Sequence, residues 1–273
     1  MKRYIPLFVI CSFCTLRASP MTIDLGTAGP FAVLAGSTVT NTGFTNIYGN
    51  LGLAPGSSIT GFPPGIVTGT IDDADAAAMQ AQSALTMAYD SASGQPCGVN
   101  LTGQNLGGLT LTPGVYCFNS SAALTGILTL DDLGNPNAEF VFEIGSTLTT
   151  ASNSSVVFDS GQDANLFWQV TSSATLGTGT EFAGNILALT SITLNTDANI
   201  TCGRALAQNG AVTMDSNNVT INGCETGGAV PEPGTGVLLG AGMLLGLIVG
   251  FTASSEGVSY NKSKFSEETN PAG

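Results

Sequence analysis

The chain has 273 residues, 43% apolar and only 9% charged, with six Lys+Arg against nineteen Asp+Glu and no histidine. That is long enough for one or two domains with a sizeable core, and too apolar for an intrinsically disordered chain. A formal charge of −13 argues against nucleic acid, whose phosphates need clustered Lys and Arg, and the missing imidazole removes a His general base and a His-type zinc site.

Lys2 and Arg3 precede an apolar run from Ile5 to Leu16, and the small residues Ala18 and Ser19 follow. That order predicts an export signal over 1–19, with Cys11 and Cys14 leaving with it. The body, read as one domain over 20–228, holds one base, Arg204, against fifteen acids between Met21 and Ala229. A soluble enzyme for an anionic substrate is hard to build with one cation.

Within the body, Ala74, Ala77, Ala78, Ala81, Leu85 and Ala88 recur on one helical face, which predicts a helix over about 71–92. Thr70 and Asp73 are spaced like a capping box, and Asp72, Asp73 and Asp75 suit a helix N-terminus. Gly94 and Pro96 end it. Its small alanines predict close packing on a flat surface, and it carries no catalytic candidate.

Cys97, Cys117, Cys202 and Cys224 are an even set in an exported chain, which predicts two disulfides. Three pairings are open. The favoured one is 97–117 with 202–224, since each closes a loop of about 20 residues, worth roughly 3 kcal/mol. Without CxxC or histidine, neither a metal nor a cofactor is expected.

The rest of the body reads as short strands with Gly, Asn, Asp and Ser at the corners. Segments beginning at Leu176, Leu194 and Met214 lie 18 and 20 residues apart and share an apolar residue, a polar corner and a second apolar stretch. Repeats of this length predict the coils of a mainly β solenoid; a sandwich would not need the same corner each time. In each coil a threonine sits between apolar or small neighbours, as in Ala174-Thr175-Leu176, Ile192-Thr193-Leu194 and Val212-Thr213-Met214. Leu128-Thr129-Leu130, Ser146-Thr147-Leu148 and Ser37-Thr38-Val39 look similar. If the neighbours point inward, Thr38, Thr129, Thr147, Thr175, Thr193 and Thr213 form one outward, uncharged ladder.

Gly234 to Ala253 is apolar, uncharged and just long enough to cross a bilayer. Val230-Pro231-Glu232-Pro233 stands before it, and a polar tail, 254–273, follows. The tetrapeptide and span, 229–253, resemble the PEP-CTERM sorting signal of exported bacterial proteins, which implies a C-terminal segment in contact with a membrane.

From about Ile23 to Cys224 the body resembles the DUF3494 family of ice-binding proteins, found in cold-adapted bacteria, fungi and algae. The blocks are Leu25-Gly-Thr-Ala-Gly-Pro-Phe-Ala-Val-Leu-Ala-Gly, Asn50-Leu-Gly-Leu-Ala-Pro-Gly, Leu106-Gly-Gly-Leu-Thr-Leu-Thr-Pro-Gly-Val-Tyr116, Phe167-Trp-Gln-Val, Phe182-Ala-Gly-Asn-Ile-Leu-Ala and Gly203-Arg-Ala-Leu-Ala-Gln-Asn-Gly-Ala-Val-Thr213. The resemblance implies a discontinuous right-handed β-solenoid of triangular section with one long helix packed alongside. It implies an exported monomer that adsorbs to ice through a flat Thr/Ser/Asn face and inhibits ice growth and recrystallisation. Ice-binding loops of the family often read Thr-(Ala/Gly)-x-(Thr/Asn). The matching positions here are Thr190-Ser191-Ile192-Thr193 and Asn209-Gly210-Ala211-Val212-Thr213, which depart by a serine and by one extra residue. Thr190, Ser191, Asn209 and Gly210 therefore join the ladder as candidates.

Two other readings compete. A carbohydrate-active enzyme could use the acid pair Asp131-Asp132, or Asp159 and Asp163, but Asp131-Asp132-Leu-Gly-Asn-Pro136 reads as an ordinary turn. An adhesin or matrix protein could offer the same face to a polysaccharide, in which case exposed aromatics are expected. The one tryptophan, Trp168, lies in an apolar strand and reads as core, and Arg204 reads as structural.

Overall fold

The computed structural model describes residues 22–135, 137–159 and 165–221. The export signal, Cys224, the Val230–Pro233 motif, the apolar span and the polar tail lie outside these residues. Among the described residues no helix is long and apolar enough to cross a membrane.

Short strands wind round a core so that successive coils stack in parallel, and every strand pairing is parallel. Three faces result. One is a seven-stranded sheet in the order Ala122–Leu124, Leu148–Thr150, Ala174–Leu176, Ile192–Leu194, Val212–Asp215, Val39–Thr42, Ile59–Thr60. The other two belong to a single fifteen-stranded sheet. The long strands Glu181–Ala188 and Asn199–Ala207 turn the corner between them, with a register shift at Phe182/Ala183. Beyond that shift Phe167 pairs with Asn185 and Val33 with Ala205, on the face that carries the helix. Before it Ser155 pairs with Glu181, and Ile200 with Val219, on the third face.

The coils are not stacked in chain order. Phe31–Ala35 lies beside Asn199–Ala207, and Val39–Thr42 beside Val212–Asp215, so the first coil sits directly on the last. The helix then carries the chain along the stack. This is the mainly β solenoid that the repeats predicted, with the one helix alongside that the family resemblance implied.

Alternation explains the core. Each strand turns alternate side chains inward, and Leu124, Leu148, Leu176, Ile192, Val212 and Val39 fill the interior behind the seven-stranded sheet, all fully buried. Trp168 is buried as expected, stacked on Phe142 with ring centroids 4.0 Å apart, and its indole N–H donates to the Ala183 carbonyl at 3.0 Å.

The helix spans Ala76–Ser93, shorter at its start than predicted. Ile71–Asp73 is instead an edge strand paired with Asn50–Leu53, so the Thr70 capping box does not form. Asp75 is the cap, its carboxylate accepting the Ala78 N–H at 2.9 Å. Gly94 closes the other end, its N–H bonded to the Asp90 carbonyl. Ala78, Ala81, Leu85 and Ala88 are buried as the periodicity predicted, while Ala74 and Ala77 are exposed. The small alanines let the helix lie close to Phe31, Leu34, Val141, Phe167, Leu187 and Leu206.

Cys97 and Cys117 form a disulfide, Cα atoms 5.8 Å apart, at the end of the stack that starts with Val99–Asn100. Cys202 is also disulfide-bonded, and its expected partner, Cys224, lies outside the described residues.

Candidate functional site

On the seven-stranded sheet one outward position repeats in register from strand to strand: Ala123, Thr149, Thr175, Thr193, Thr213, Thr40 and Thr60. Each stands between inward neighbours, so its side chain must face solvent. Rungs in a sheet are about 4.8 Å apart, which makes this row about 29 Å long.

Two residues upstream runs a second outward row. The carbonyls of Thr147, Ser173, Ser191, Ala211, Thr38 and Ser58 accept the N–H groups of Ala122, Leu148, Ala174, Ile192, Val212 and Val39 at 2.9–3.1 Å. Its hydroxyls are partly tied together: Thr147 Oγ1 donates to Ser121 Oγ at 3.0 Å, and the Ser191 hydroxyl accepts the Ala211 N–H at 3.2 Å. Thr190, Asn209 and Gly210 lie just before this row, at the corner with the helix face. There the Gly210 N–H bonds to Thr190 O at 2.9 Å and the Asn209 amide donates to Leu189 O at 3.1 Å. A Cβ on Gly210 would meet the Thr190 carbonyl and the Ser191 hydroxyl at 2.3 Å, so only glycine allows the coils to stack so closely.

The opposite corner is held from inside. Buried Thr150 and Thr180 share a hydroxyl–hydroxyl bond of 2.8 Å, and Thr150 also accepts the Gly177 N–H at 2.8 Å. Asn217, fully buried, donates to the carbonyls of Asn195 and Ala198 at 2.8 and 2.7 Å. These bonds fix where each strand begins and ends, and so keep the rows in line. Neither row contains Asp, Glu, Lys or Arg. The first acid on these strands is Asp215, two residues past Thr213, where it accepts the Thr196 hydroxyl at 2.6 Å.

Thr175, Thr193 and Thr213 thus occupy neighbouring rungs of one row, as predicted. Thr38, Thr147 and Ser191 share the face but stand in the second row. Thr129 does not belong here. It lies on Ile127–Leu130, on the third face, between Thr110 and Val157. All three faces alternate in the same way, so alternation alone cannot say which face a threonine is on. The sequence reading missed Thr40, Thr60 and Thr149. Their signals are present in Val39-Thr40 and Leu148-Thr149, each an inward apolar residue followed by threonine.

The adjacent acids Asp131 and Asp132 have other partners. Asp131 Oδ1 accepts the Leu133 N–H at 2.9 Å and Asp132 Oδ1 the Gly134 N–H at 2.8 Å, so the pair builds the turn its sequence suggested. Asp163 lies outside the described residues. Arg204 donates to Gly29 O at 2.7 Å and to Asn185 Oδ1 at 2.8 Å, joining the first coil to the helix face.

Residues 33–220 match the model of a family described as ice-binding-like. The chain belongs to that ice-binding-like family. An ice-binding protein of Nostoc sp. (strain HG1) is 57% identical over 251 residues, covering 89% of this chain and 93% of that one. Among solved structures, an ice binding protein from an Antarctic biological consortium shares 49% identity at a TM-score of 0.71, over 80% of this chain and 96% of its own. The ice-binding protein of the Antarctic ascomycete Antarctomyces psychrotrophicus shares 41% at 0.70, over 74% and 98%. Within the ice-binding-like match fall both threonine rows from Thr38 to Thr213, the helix and the seam between first and last coils.

Proposed function

We propose that this chain binds ice through the two rows of the seven-stranded sheet and thereby slows ice growth and recrystallisation. The observation that carries the reading is a seven-rung, charge-free row, six of its rungs threonine, held in register by backbone pairing. Threonine is stiff about χ1, so each of the six threonine rungs offers a methyl and a hydroxyl in a fixed place at little further entropic cost on binding. A charged side chain would hold its own hydration and break the repeat. Adsorbed molecules pin the front, so ice growing between them must curve, which disfavours growth. No bond is made or broken, and no residue is assigned a catalytic part.

The site of action is read as extracellular and the acting form as a monomer. The signal-like segment 1–19 supports export, as does the disulfide between Cys97 and Cys117, since such bonds persist in oxidising compartments. The 229–253 segment is read as a sorting or tethering element.

The test is thermal hysteresis and recrystallisation with purified protein, with Thr193→Tyr/Thr213→Tyr compared with Thr129→Tyr. The face variant should lose most of the hysteresis while keeping its Tm within a few degrees, and the third-face variant should keep its activity. Equal activity in both variants moves ice binding off this sheet, and no activity in the parent protein ends the reading.

A further inference from the structure

The third face carries a different surface. Along Asn46–Tyr48 the inward residue is Ile47, which turns Asn46 and Tyr48 outward, and Phe44 stands exposed at the strand's entry. Phe44 is 80% exposed and Tyr48 41%. Ile66, opposite Asn46 on the next strand, is 58% exposed. Clustered apolar groups left open to solvent are the kind of surface that marks an interaction site, which a single exposed side chain does not.

Beside them runs a directional ladder of amides. Asn46 Nδ2 donates to Asn218 Oδ1 at 3.0 Å, Asn218 Nδ2 to Asn199 Oδ1 at 3.3 Å, and Asn199 Nδ2 to Glu181 Oε1 at 2.8 Å. Among the described residues the ladder fixes each amide plane but uses only one of its two N–H groups, leaving the other for a ligand. The platform is therefore the Tyr48 ring on the strand and the Phe44 ring at its entry, with pre-oriented amides and a carboxylate alongside.

We propose that this platform binds an uncharged polysaccharide, so that the molecule has a second binding face separate from the threonine rows. The chemistry selects the ligand. Aromatic faces stack on the C–H faces of sugar rings, while amides and a carboxylate pair with ring hydroxyls. The surrounding body, with one base against fifteen acids, repels anionic chains. The proposal does not depend on the ice reading. Tyr48, Ile66 and the amide ladder lie on the third face and the rows on the seven-stranded sheet, with Phe44 at the corner between them.

Affinity electrophoresis in gels containing hydroxyethylcellulose, laminarin or alginate tests it, alongside Phe44→Ala/Tyr48→Ala and Thr193→Tyr/Thr213→Tyr. The expected result is retardation by an uncharged glucan and not by alginate, weakened at least tenfold in the aromatic variant and unchanged in the threonine variant. Sedimentation shows whether each variant remains folded. Absence of retardation by both uncharged glucans overturns the proposal, as does retardation that survives in the folded aromatic variant. Self-association of the parent that disappears in the aromatic variant, without glucan binding, also overturns it and assigns the patch to a second copy of the chain.

Discussion

Glu143 shows how one side chain can set a pH response. It lies on the helix face between Cys117 and Gln169, beside a cavity of about 250 Å³ that Ser93 and Thr171 also line. Its Oε1 is buried with no hydrogen-bond partner among the described residues. Burial raises its carboxyl to about 7 from an ordinary 4.5. Below pH 4.5 both folded and unfolded chains hold the proton. Between 4.5 and about 7 the unfolded chain releases it while the fold retains it, so stability falls as pH rises through that window. The carboxyl is partly exposed, which reduces the effect to about 1 kcal/mol. Thermal melts from pH 4 to 8 should show this slope, and Glu143→Gln should flatten it; an equal slope in the variant assigns the effect to another group. The threonine rows show what a single residue's sequence context can and cannot reveal. Thr175, Thr193 and Thr213 are legible because the same triplet recurs in consecutive coils. Thr129 has the same triplet and lies on another face, because face identity depends on where the corners fall. Those corners are set by buried bonds such as Thr150–Thr180 and Asn217–Ala198, which have no local signature.

At the scale of the element, the helix was legible in its body and not at its start. Ala78, Ala81, Leu85 and Ala88 repeat on one face, and no competing structure uses that pattern. Upstream, Ile71–Asp73 has too little periodicity to separate helix from strand, and pairing with Asn50–Leu53 decides it. The cap falls at Asp75 as a consequence, since Ala74 adopts a left-handed φ of 52° that breaks the helix from the strand. Asp75→Ala should then cost about 1 kcal/mol, read as a lower Tm, whereas Thr70→Ala should leave the helix cap intact. Equal losses from both would mean that Thr70 takes part in the cap after all.

As a whole the molecule is a stack in which each coil touches mainly its neighbours, so damage should stay near where it is made. The Cys97–Cys117 bond closes a separation of 20 residues at one end, worth about 3 kcal/mol in the chain-entropy model. Replacing both cysteines with alanine should lower the Tm. It should also speed amide exchange in Val99–Asn100, Thr110–Leu111 and Gly114–Phe118 before it does so in Val212–Asp215; uniform acceleration would show that the stack melts as one unit. The repeat spacing made the solenoid legible, but the order of its coils was not, since nothing local says that Val39–Thr42 will lie against Val212–Asp215. That seam also gives the molecule a timetable. Chains emerge from the ribosome N-terminus first, and contacts between distant segments form late. Until residue 215 has been made, Thr40 and Thr60 form a patch of two rungs, separate from the five-rung run that ends at Thr213. A half-made chain therefore presents two short fragments of the row, and the full seven-rung row comes into being only in the step that joins the beginning of the body to its end.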